Sequence, residues 1–366
     1  MSRGRHRPVP AAPGSESGRS SAGADVPDLV ISIGSLGNHE VLARCLRTVY
    51  AEDETGLRFE VWVVFNGSDD RPLIEMLERE FPQVRLFAAR GGPLGYCRTH
   101  NVVLERARSR YVLVLDDDTL VPKGTLPGMV RFMDGHPDVG LAGCETHNAD
   151  GSYQRSFGLV PSLRTELATA FGPEGFWPES LYRDVSRLRD VEWLNGSFML
   201  ARGAAIDAVG GLDEHYYTYV CEPDWAYRIR KAGWRVVYVP DYHIVHWGGE
   251  HSINNKLTVT NHVNLVRYHV NRLYFFRKHY GFPATLALRV LLVVGCLLRA
   301  ALYLVHIVLK PERRPACLAK LRAFAHVLEL CVSPNPYRLP PTLEALVPGH
   351  GVSRTIDEVT LRGSAH

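Results

Sequence analysis

Tyr111-Val112-Leu113-Val114-Leu115-Asp116-Asp117-Asp118 is the stretch on which the fold of this 366-residue chain turns. An apolar run of strand length, with no polar alternation, reads as a strand buried on both faces. Three carboxylates follow it at once. Side chains alternate along extended chain, so Asp116 and Asp118 fall on one side. Adjacent acids repel one another unless a cation neutralises them. Oxygen ligands with open positions suit Mn2+ or Mg2+ bridging to phosphates.

Upstream, strands and helices alternate. Leu29 to Ile33 reads as a buried strand, and Leu42, Cys45, Leu46 and Val49 recur at helical spacing. Phe59 to Phe65 is a second strand, ending in the turn-like Asn66-Gly67-Ser68-Asp69-Asp70. Pro72 opens a helix carrying Ile74, Leu77 and Phe81, a strand runs from Val84 to Ala88, and a helix from Tyr96 to Arg108. This alternation predicts an α/β fold: a Rossmann-like, mostly parallel sheet flanked by helices on both faces. Such sheets bind ligands outside the C-terminal strand ends, where the three aspartates stand. Downstream, Asn148 to Gly151 reads as a turn, Asp190 to Arg202 as a strand leading into a short helix, and Glu222 to Ala232 as a helix stopped by Gly233. Trp234 to Val239 and His243 to Trp247 read as strands, and beyond Lys256 the pattern is helical.

Four regions follow: a disordered basic tail over 1–27, a catalytic domain over 28–255, a basic helical extension over 256–340 and a flexible tail over 341–366. The first 27 residues lack the apolar core of a signal peptide. Lys256 to Arg322 holds 12 Lys/Arg and one acid, Glu312, a segment charge of +11; the whole chain carries +3, so the remainder carries −8. A basic C-terminal third on an acidic body points to an anionic surface as partner. Seven scattered cysteines with no zinc spacing read as reduced cytosolic thiols. No GxGxxG follows the first strand, which disfavours a nicotinamide dehydrogenase. Gly34-Ser35-Leu36-Gly37-Asn38 lacks the Arg and Lys of a nucleotidyltransferase phosphate loop. Long aliphatics interleave the basic stretch, so nucleic acid is not an expected partner.

Several motifs, in order, resemble one family. Asn66-Gly67-Ser68 resembles a post-strand Asp-Asn-x-Ser loop. Gly92 to Asn101 resembles an Asn-x-Gly…Asn segment, and Asp116-Asp117-Asp118 a DxD motif. Val209-Gly210-Gly211-Leu212-Asp213-Glu214 resembles a Gly-Gly-Phe-Asp-Glu stretch. Glu222 to Arg228 resembles a Glu-Asp-x-Asp-Leu-x-x-Arg helix start, and His246-Trp247-Gly248-Gly249 a metal-binding His loop. Over roughly Leu29 to Ser252 the chain is thus similar to inverting family 2 glycosyltransferases of GT-A fold, within the group of bacterial rhamnosyltransferases. The resemblance implies a metal-dependent enzyme moving one sugar, rhamnose by analogy, from a nucleoside diphosphate donor to a hydroxyl of a cell-envelope glycan or lipid-linked acceptor. No Gln-x-x-Arg-Trp motif or set of spanning helices marks a processive synthase.

By the same resemblance Asp118, Asp116 and His246 would hold Mn2+ or Mg2+, with His243 and His251 as competing histidines. Ser35, Asn66, Ser68, Asp69, Arg98, Asp116 and Asp117 would bind the nucleotide sugar. Glu222 is the expected base that removes the acceptor proton, with Asp224 as the alternative; capping of their helix is the competing role for both. Trp193, Asn195, Asp213 and Glu214 would border the acceptor, Trp193 either stacking on a sugar ring or filling the core. Two departures stand out. Ser35-Leu36-Gly37 replaces the family's Thr-Tyr-Asn, and Phe65 its nucleobase-binding Asp. They keep open a second reading, a catalytically degenerate sugar-binding or scaffold subunit.

Ala284 to Leu309 is strongly apolar, but Arg289, Arg299, His306 and Lys310 share one sector of its helical wheel. Spanning a bilayer would bury each charge at ~2.5–3.5 kcal/mol. An in-plane helix would not. The expectation is a peripheral anchor on the cytoplasmic face of the membrane, with packing against the catalytic domain as the competing arrangement.

Overall fold

The computed structural model describes residues 26–52, 56–66, 71–90, 94–171, 184–247, 262–310, 313–338 and 355–361. The first half alternates as expected: β1 (Leu29–Ser35), α1 (His39–Tyr50), β2 (Phe59–Phe65), α2 (Arg71–Glu80), β3 (Arg85–Arg90), α3 (Tyr96–Arg106) and β4 (Tyr111–Asp116). Asn38 caps α1 by accepting the Val41 amide at 3.2 Å. Next come β5 (Thr119–Leu120), α4 (Thr125–Gly135), β6 (Val139–His147), β7 (Tyr153–Gln154), β8 (Phe157–Gly158) and α5 (Leu163–Phe171). They lead to β9 (Arg189–Asp190), β10 (Trp193–Leu194), β11 (Phe198–Arg202), α6 (Gly203–Val209), α7 (Cys221–Lys231) and β12 (Arg235–His246). Three helices, α8 (His262–His279), α9 (Gly281–Leu309) and α10 (Arg314–Val332), precede a last strand, β13 (Thr355–Val359).

The main sheet runs β13-β3-β2-β1-β4-β11-β6-β12-β5. β1 pairs in parallel with β2 and β4, β2 with β3, and β6 with β12, whereas β11 is antiparallel to both β4 and β6. Both faces are buried, as the unbroken apolar runs require. Ile31, Ile33, Val63, Leu113 and Leu115 pack under α1, α2 and α4. Val30, Val64, Val112 and Val114 pack on the other face with α3, α6, α7 and the C-terminal helices. In register, Gly34 at the end of β1 faces Asp116 at the end of β4, so the acids emerge at the mouth of the parallel strands.

Four expectations change. The segment 190–202 divides into β9, β10 and β11. The two strands expected over 234–247 are one, β12, with a register shift between Val239 and His243, where Pro240 cannot donate to a ladder. The C-terminal tail contributes β13, antiparallel to β3, which covers an otherwise open edge. On α9 the arginines turn inward rather than towards a water-facing sector. Arg289 donates to the Cys331 carbonyl at 2.6 Å and the Ser333 carbonyl at 2.8 Å, and Arg299 to the Thr169 carbonyl at 2.6 Å. These carbonyls end or flank helices and lack helical donors of their own. The outward face of α9 is consequently apolar, with Val290, Leu297 and Leu302 among its exposed residues. The helix is 29 residues long and apolar enough to cross a membrane by length and composition.

Leu361, just past β13, is only 2% exposed. Removing residues 355–366 should therefore cost at least about 2 kcal/mol, the worth of one buried leucine, and open the β3 edge. Urea denaturation with light scattering checks both.

Candidate active site

A cleft of about 480 Å3 opens at the C-terminal ends of β1 and β4. Asp116, Asp117, Asp118 and His246 form one wall. The turn after β4 is pinned in place. β5 pairs with the end of β12, Thr119 opposite His246, and the Trp247 amide donates to the Asp118 carbonyl at 2.8 Å. Two segments 128 positions apart in the chain are thereby held side by side. His246 Nε2 lies 3.0 Å from Asp118 Oδ1 and 3.7 Å from Asp116 Oδ2.

The imidazole is oriented from behind. Gln154 donates through Nε2 to Asn148 Oδ1 at 3.1 Å, which turns its Oε1 towards His246 Nδ1 at 2.7 Å. Assigning the ring proton to Nδ1 on this network directs the Nε2 lone pair at the carboxylates. Asp118 Oδ1 is buried and accepts no hydrogen bond. Two acceptors 3.0 Å apart are repulsive by themselves and complementary around a cation. One ligand atom from each of Asp116, Asp118 and His246 fits within a 4.8 Å set. This donor set of two carboxylate oxygens and one imidazole fits Mn2+ or Mg2+ with positions left for phosphate oxygens.

Burial, reinforced by the charge of Asp118 and opposed by His246, pushes Asp116 up to about 7. Burial also pushes Asp117 up to about 6, against a hydrogen bond from Ser35. These directions belong to protein alone, and a divalent ion would reverse them. Ser35 is fully buried behind Asp117. Asn66 lines the cleft but spends its carbonyl oxygen on the Leu94 amide. Leu36, in the first-strand loop, is an exposed part of the lining. Ser68, Asp69 and His251 lie outside the described residues. Of the competing histidines, His243 stacks on His147 with centroids 5.0 Å apart and is not part of the wall.

Glu222, at the start of α7, lines the same cleft. A side chain on Gly196 would come within 3.0 Å of Glu222 Oε1 and 2.6 Å of the Tyr96 hydroxyl, so glycine leaves that carboxylate its space. Burial raises the Glu222 pKa, opposed by its own backbone amide, the Cys221 thiol and the charge of Arg155. His100 lines the floor; it bonds Ser32 Oγ at 2.8 Å, and burial lowers it to about 3, keeping it neutral.

Other expected residues stand elsewhere. Asp224 is a correction: it does not line the cleft but sits fully buried among basic side chains. His279 Nε2 is 2.7 Å away, Lys278 Nζ 2.8 Å and Arg228 Nε 2.8 Å. Burial opposes its charge, yet these partners outweigh it and hold the carboxyl far below the usual range. A group so committed cannot take a proton at neutral pH. Asp213 is likewise engaged, by Lys278 at 2.7 Å and Tyr274 at 3.1 Å. Glu214 accepts from Asn101 at 3.2 Å and approaches Arg98 at 4.0 Å. None of Asp213, Glu214 and Arg98 reaches the cleft lining. Trp193 and Asn195 do. The Trp193 indole donates to the Leu159 carbonyl at 2.9 Å, with Arg155 5.2 Å above its ring. Asn195 uses its side chain on the Arg155 carbonyl at 3.0 Å and the Ser197 amide at 3.0 Å.

Sequence reasoning missed Gln154, Arg155, Tyr96, the Tyr217–Val220 segment and Tyr268, all of which line the cleft. Spacing carries no sign of most of them, because they arrive from a two-residue strand, a loop and the helical extension; Tyr96, the first residue of α3, stood inside the Gly92–Asn101 motif without being singled out.

A family model described as Glycosyltransferase like family 2 matches residues 27–263. An N-acetylglucosaminyl-diphospho-decaprenol L-rhamnosyltransferase of Mycobacterium tuberculosis (strain CDC 1551 / Oshkosh) is 31% identical over 200 residues, 50% of this chain and 64% of that protein. The match thus spans less than two thirds of that relative's length. Rhamnosyltransferase WbbL of Escherichia coli (strain K12) is 22% identical over 228 residues, 59% of this chain and 82% of that protein. Among solved structures, mannosyltransferase PcManGT from Pyrobaculum calidifontis, in complex with GDP-Man and Mn2+, matches with a TM-score of 0.50 at 15% identity. It covers 84% of this chain and 88% of that one, a likeness of fold.

Asp224→Asn removes the charge that neutralises Lys278 and Arg228 while keeping the volume. Breaking one partner out of a buried ionic cluster should cost about 3 kcal/mol, read as a lower melting temperature. Binding of Mn2+ should stay unchanged, because the cluster is separate from the Asp116–His246 wall.

Proposed function

Because the chain belongs to the glycosyltransferase-like family 2 and has its GT-A fold, we propose that it moves one sugar from a nucleoside diphosphate donor to a hydroxyl acceptor, with inversion, using Mn2+ or Mg2+. The observation that carries the reading is the Asp116–Asp118–His246 set and Glu222 lining one cleft. A divalent ion there supplies charge neutralisation to the diphosphate leaving group. Asp116, Asp118 and His246 would hold it, and Gln154 would fix the imidazole. Asp117 and Ser35, beside the first strand, are the residues left to position the nucleoside, with Asn66 shaping the neighbouring turn.

In a single displacement the acceptor hydroxyl must lose its proton as it attacks the sugar carbon. Glu222 suits that role. It faces the cleft, its pKa is raised by burial, and no cation within salt-bridge reach commits it, among the described residues. A base of raised pKa holds the accepted proton better than an ordinary carboxylate. Arg155 and Trp193 make a cationic, aromatic patch beside it. Such a patch fits an acceptor that is both a sugar and an anion, and the names of the relatives, an N-acetylglucosaminyl-diphospho-decaprenol L-rhamnosyltransferase and a rhamnosyltransferase, motivate a polyprenyl diphosphate-linked sugar as acceptor and rhamnose as the transferred group. The candidate ligand set and Glu222 line one cleft, which favours an enzyme over a degenerate subunit.

A lipid-linked acceptor also gives a role to the outward face of α9. Leu286, Val290, Leu297, Leu302 and Val305 are exposed along it, while its arginines are satisfied from the protein side. Lying on the cytoplasmic face of the membrane, this helix would bury that apolar face at the acyl boundary.

Three measurements test this. With thymidine diphosphate rhamnose, Mn2+ and a short-chain polyprenyl diphosphate N-acetylglucosamine, Glu222→Gln should lose at least about 100-fold in kcat. The wild-type rate should rise as pH climbs through the raised Glu222 pKa, because the deprotonated form is the active one; an acid limb surviving in Glu222→Gln would refute the assignment. Gln154→Ala should weaken Mn2+ binding by calorimetry about 10- to 100-fold. Leu297→Asp with Leu302→Asp, both on exposed positions, should abolish flotation with anionic vesicles without lowering the melting temperature.

A further inference from the structure

Four polar residues of α8, Arg267, Asn271, Tyr274 and Lys278, are spaced by four, three and four positions and so share one face of the helix. That face is turned into the protein. Arg267 and Asn271 are 7% and 3% exposed. A buried polar stripe is costly unless each group is used, and each of these meets the segment leading into α7. Arg267 stacks 4.7 Å over the Tyr217 ring. Asn271 Nδ2 donates to the Thr218 carbonyl at 2.6 Å and the Tyr219 carbonyl at 3.0 Å. Tyr274 and Lys278 hold Asp213, and Lys278 also holds Asp224.

The segment they meet is strained. Tyr219 and Val220 both have φ of 64°, the only non-glycine residues with positive φ among the described residues. For a β-branched valine this is a genuine outlier that the surroundings must enforce. Val220 is the N-cap of α7, and Glu222 follows two residues later. Tyr217 to Val220 line the cleft. The only side chain that hydrogen-bonds this segment's carbonyls from another element, among the described residues, is Asn271, whose amide has two N–H groups for two carbonyls.

We propose that Asn271 is a positioning residue for the transfer step: it clamps the left-handed Tyr219–Val220 turn and thereby aims Glu222 at the acceptor. The proposal rests on Glu222 being the base. It makes the C-terminal extension part of the active site rather than a membrane appendage alone. Without the clamp, the turn relaxes to ordinary φ, α7 starts in a different direction and the carboxylate leaves its place beside Gly196.

The test compares full-length variants with the same donor, acceptor and Mn2+. Asn271→Ala should lower kcat at least tenfold while KM for thymidine diphosphate rhamnose and the Kd for Mn2+ stay within twofold. Amide exchange over residues 218–222 should speed up at least tenfold, with β1 and β4 unchanged. Val220→Gly added to Asn271→Ala should recover at least threefold in kcat, because glycine adopts positive φ without strain. Wild-type kcat and exchange in Asn271→Ala, or a double variant no better than the single, overturns the proposal. Should Asn271→Ala not fold, the near-isosteric Asn271→Asp, which lacks the donor, decides by the same kcat and exchange readings. Failure of the base assignment is distinct: it shows as wild-type turnover in Glu222→Gln, whatever Asn271 does.

Discussion

Everything in this molecule is arranged around carboxylates forced together at the end of a buried strand. Asp116 and Asp118 cannot separate, because β4 is locked between β1 and β11 and the following turn is tied to β12 through Thr119 and the Trp247 amide. Burial first, and then the like charge of Asp118, raise the proton affinity of Asp116, which carries the strain of the site most plainly. Only a cation, or a proton, relieves it. The imidazole of His246, aimed by Gln154, makes a divalent cation the better match.

The second carboxylate cluster resolves the same problem in the opposite way. Asp224 is buried more deeply than Asp116 and Asp118, but Arg228, Lys278 and His279 surround it. Its charge is spent on joining α7 to α8. Two residues away, Glu222 has no salt bridge among the described residues, feels only the more distant charge of Arg155, and burial raises its pKa. Environment, rather than residue type, drives the two carboxyl groups in opposite directions, Glu222 up and Asp224 down.

The helical extension completes that division. α8 supplies Lys278 and His279 to Asp224, the Asn271 amide to the strained turn and Tyr268 to the cleft lining. α9, by contrast, turns its arginines inward onto carbonyls and shows a hydrocarbon face outward. One helix of the extension faces the chemistry, and the next faces the surroundings in which a lipid-linked acceptor would lie.

Much of this was legible in the order of residues. Largely apolar runs at Leu29, Phe59 and Tyr111 marked buried parallel strands, because burial on both faces removes polar alternation. The position of Asp116-Asp117-Asp118 after such a run located the site, since parallel strands open at their C-terminal ends. Short-range patterns could not assign what depended on long-range packing. Asp224 and Glu222 share one helical turn and look alike in sequence; only the approach of Lys278 and His279 from α8 separates them. Gln154, on a two-residue strand, and Asn271, in a helix read as an appendage, carry no local signature at all. The sequence by itself determined the sheet, the acid cluster and the family, because these rest on period and adjacency. Tertiary structure alone decided which acid is paired with cationic side chains, which histidine faces the cleft and which way the α9 arginines point, because each depends on a partner more than 30 residues distant in the chain.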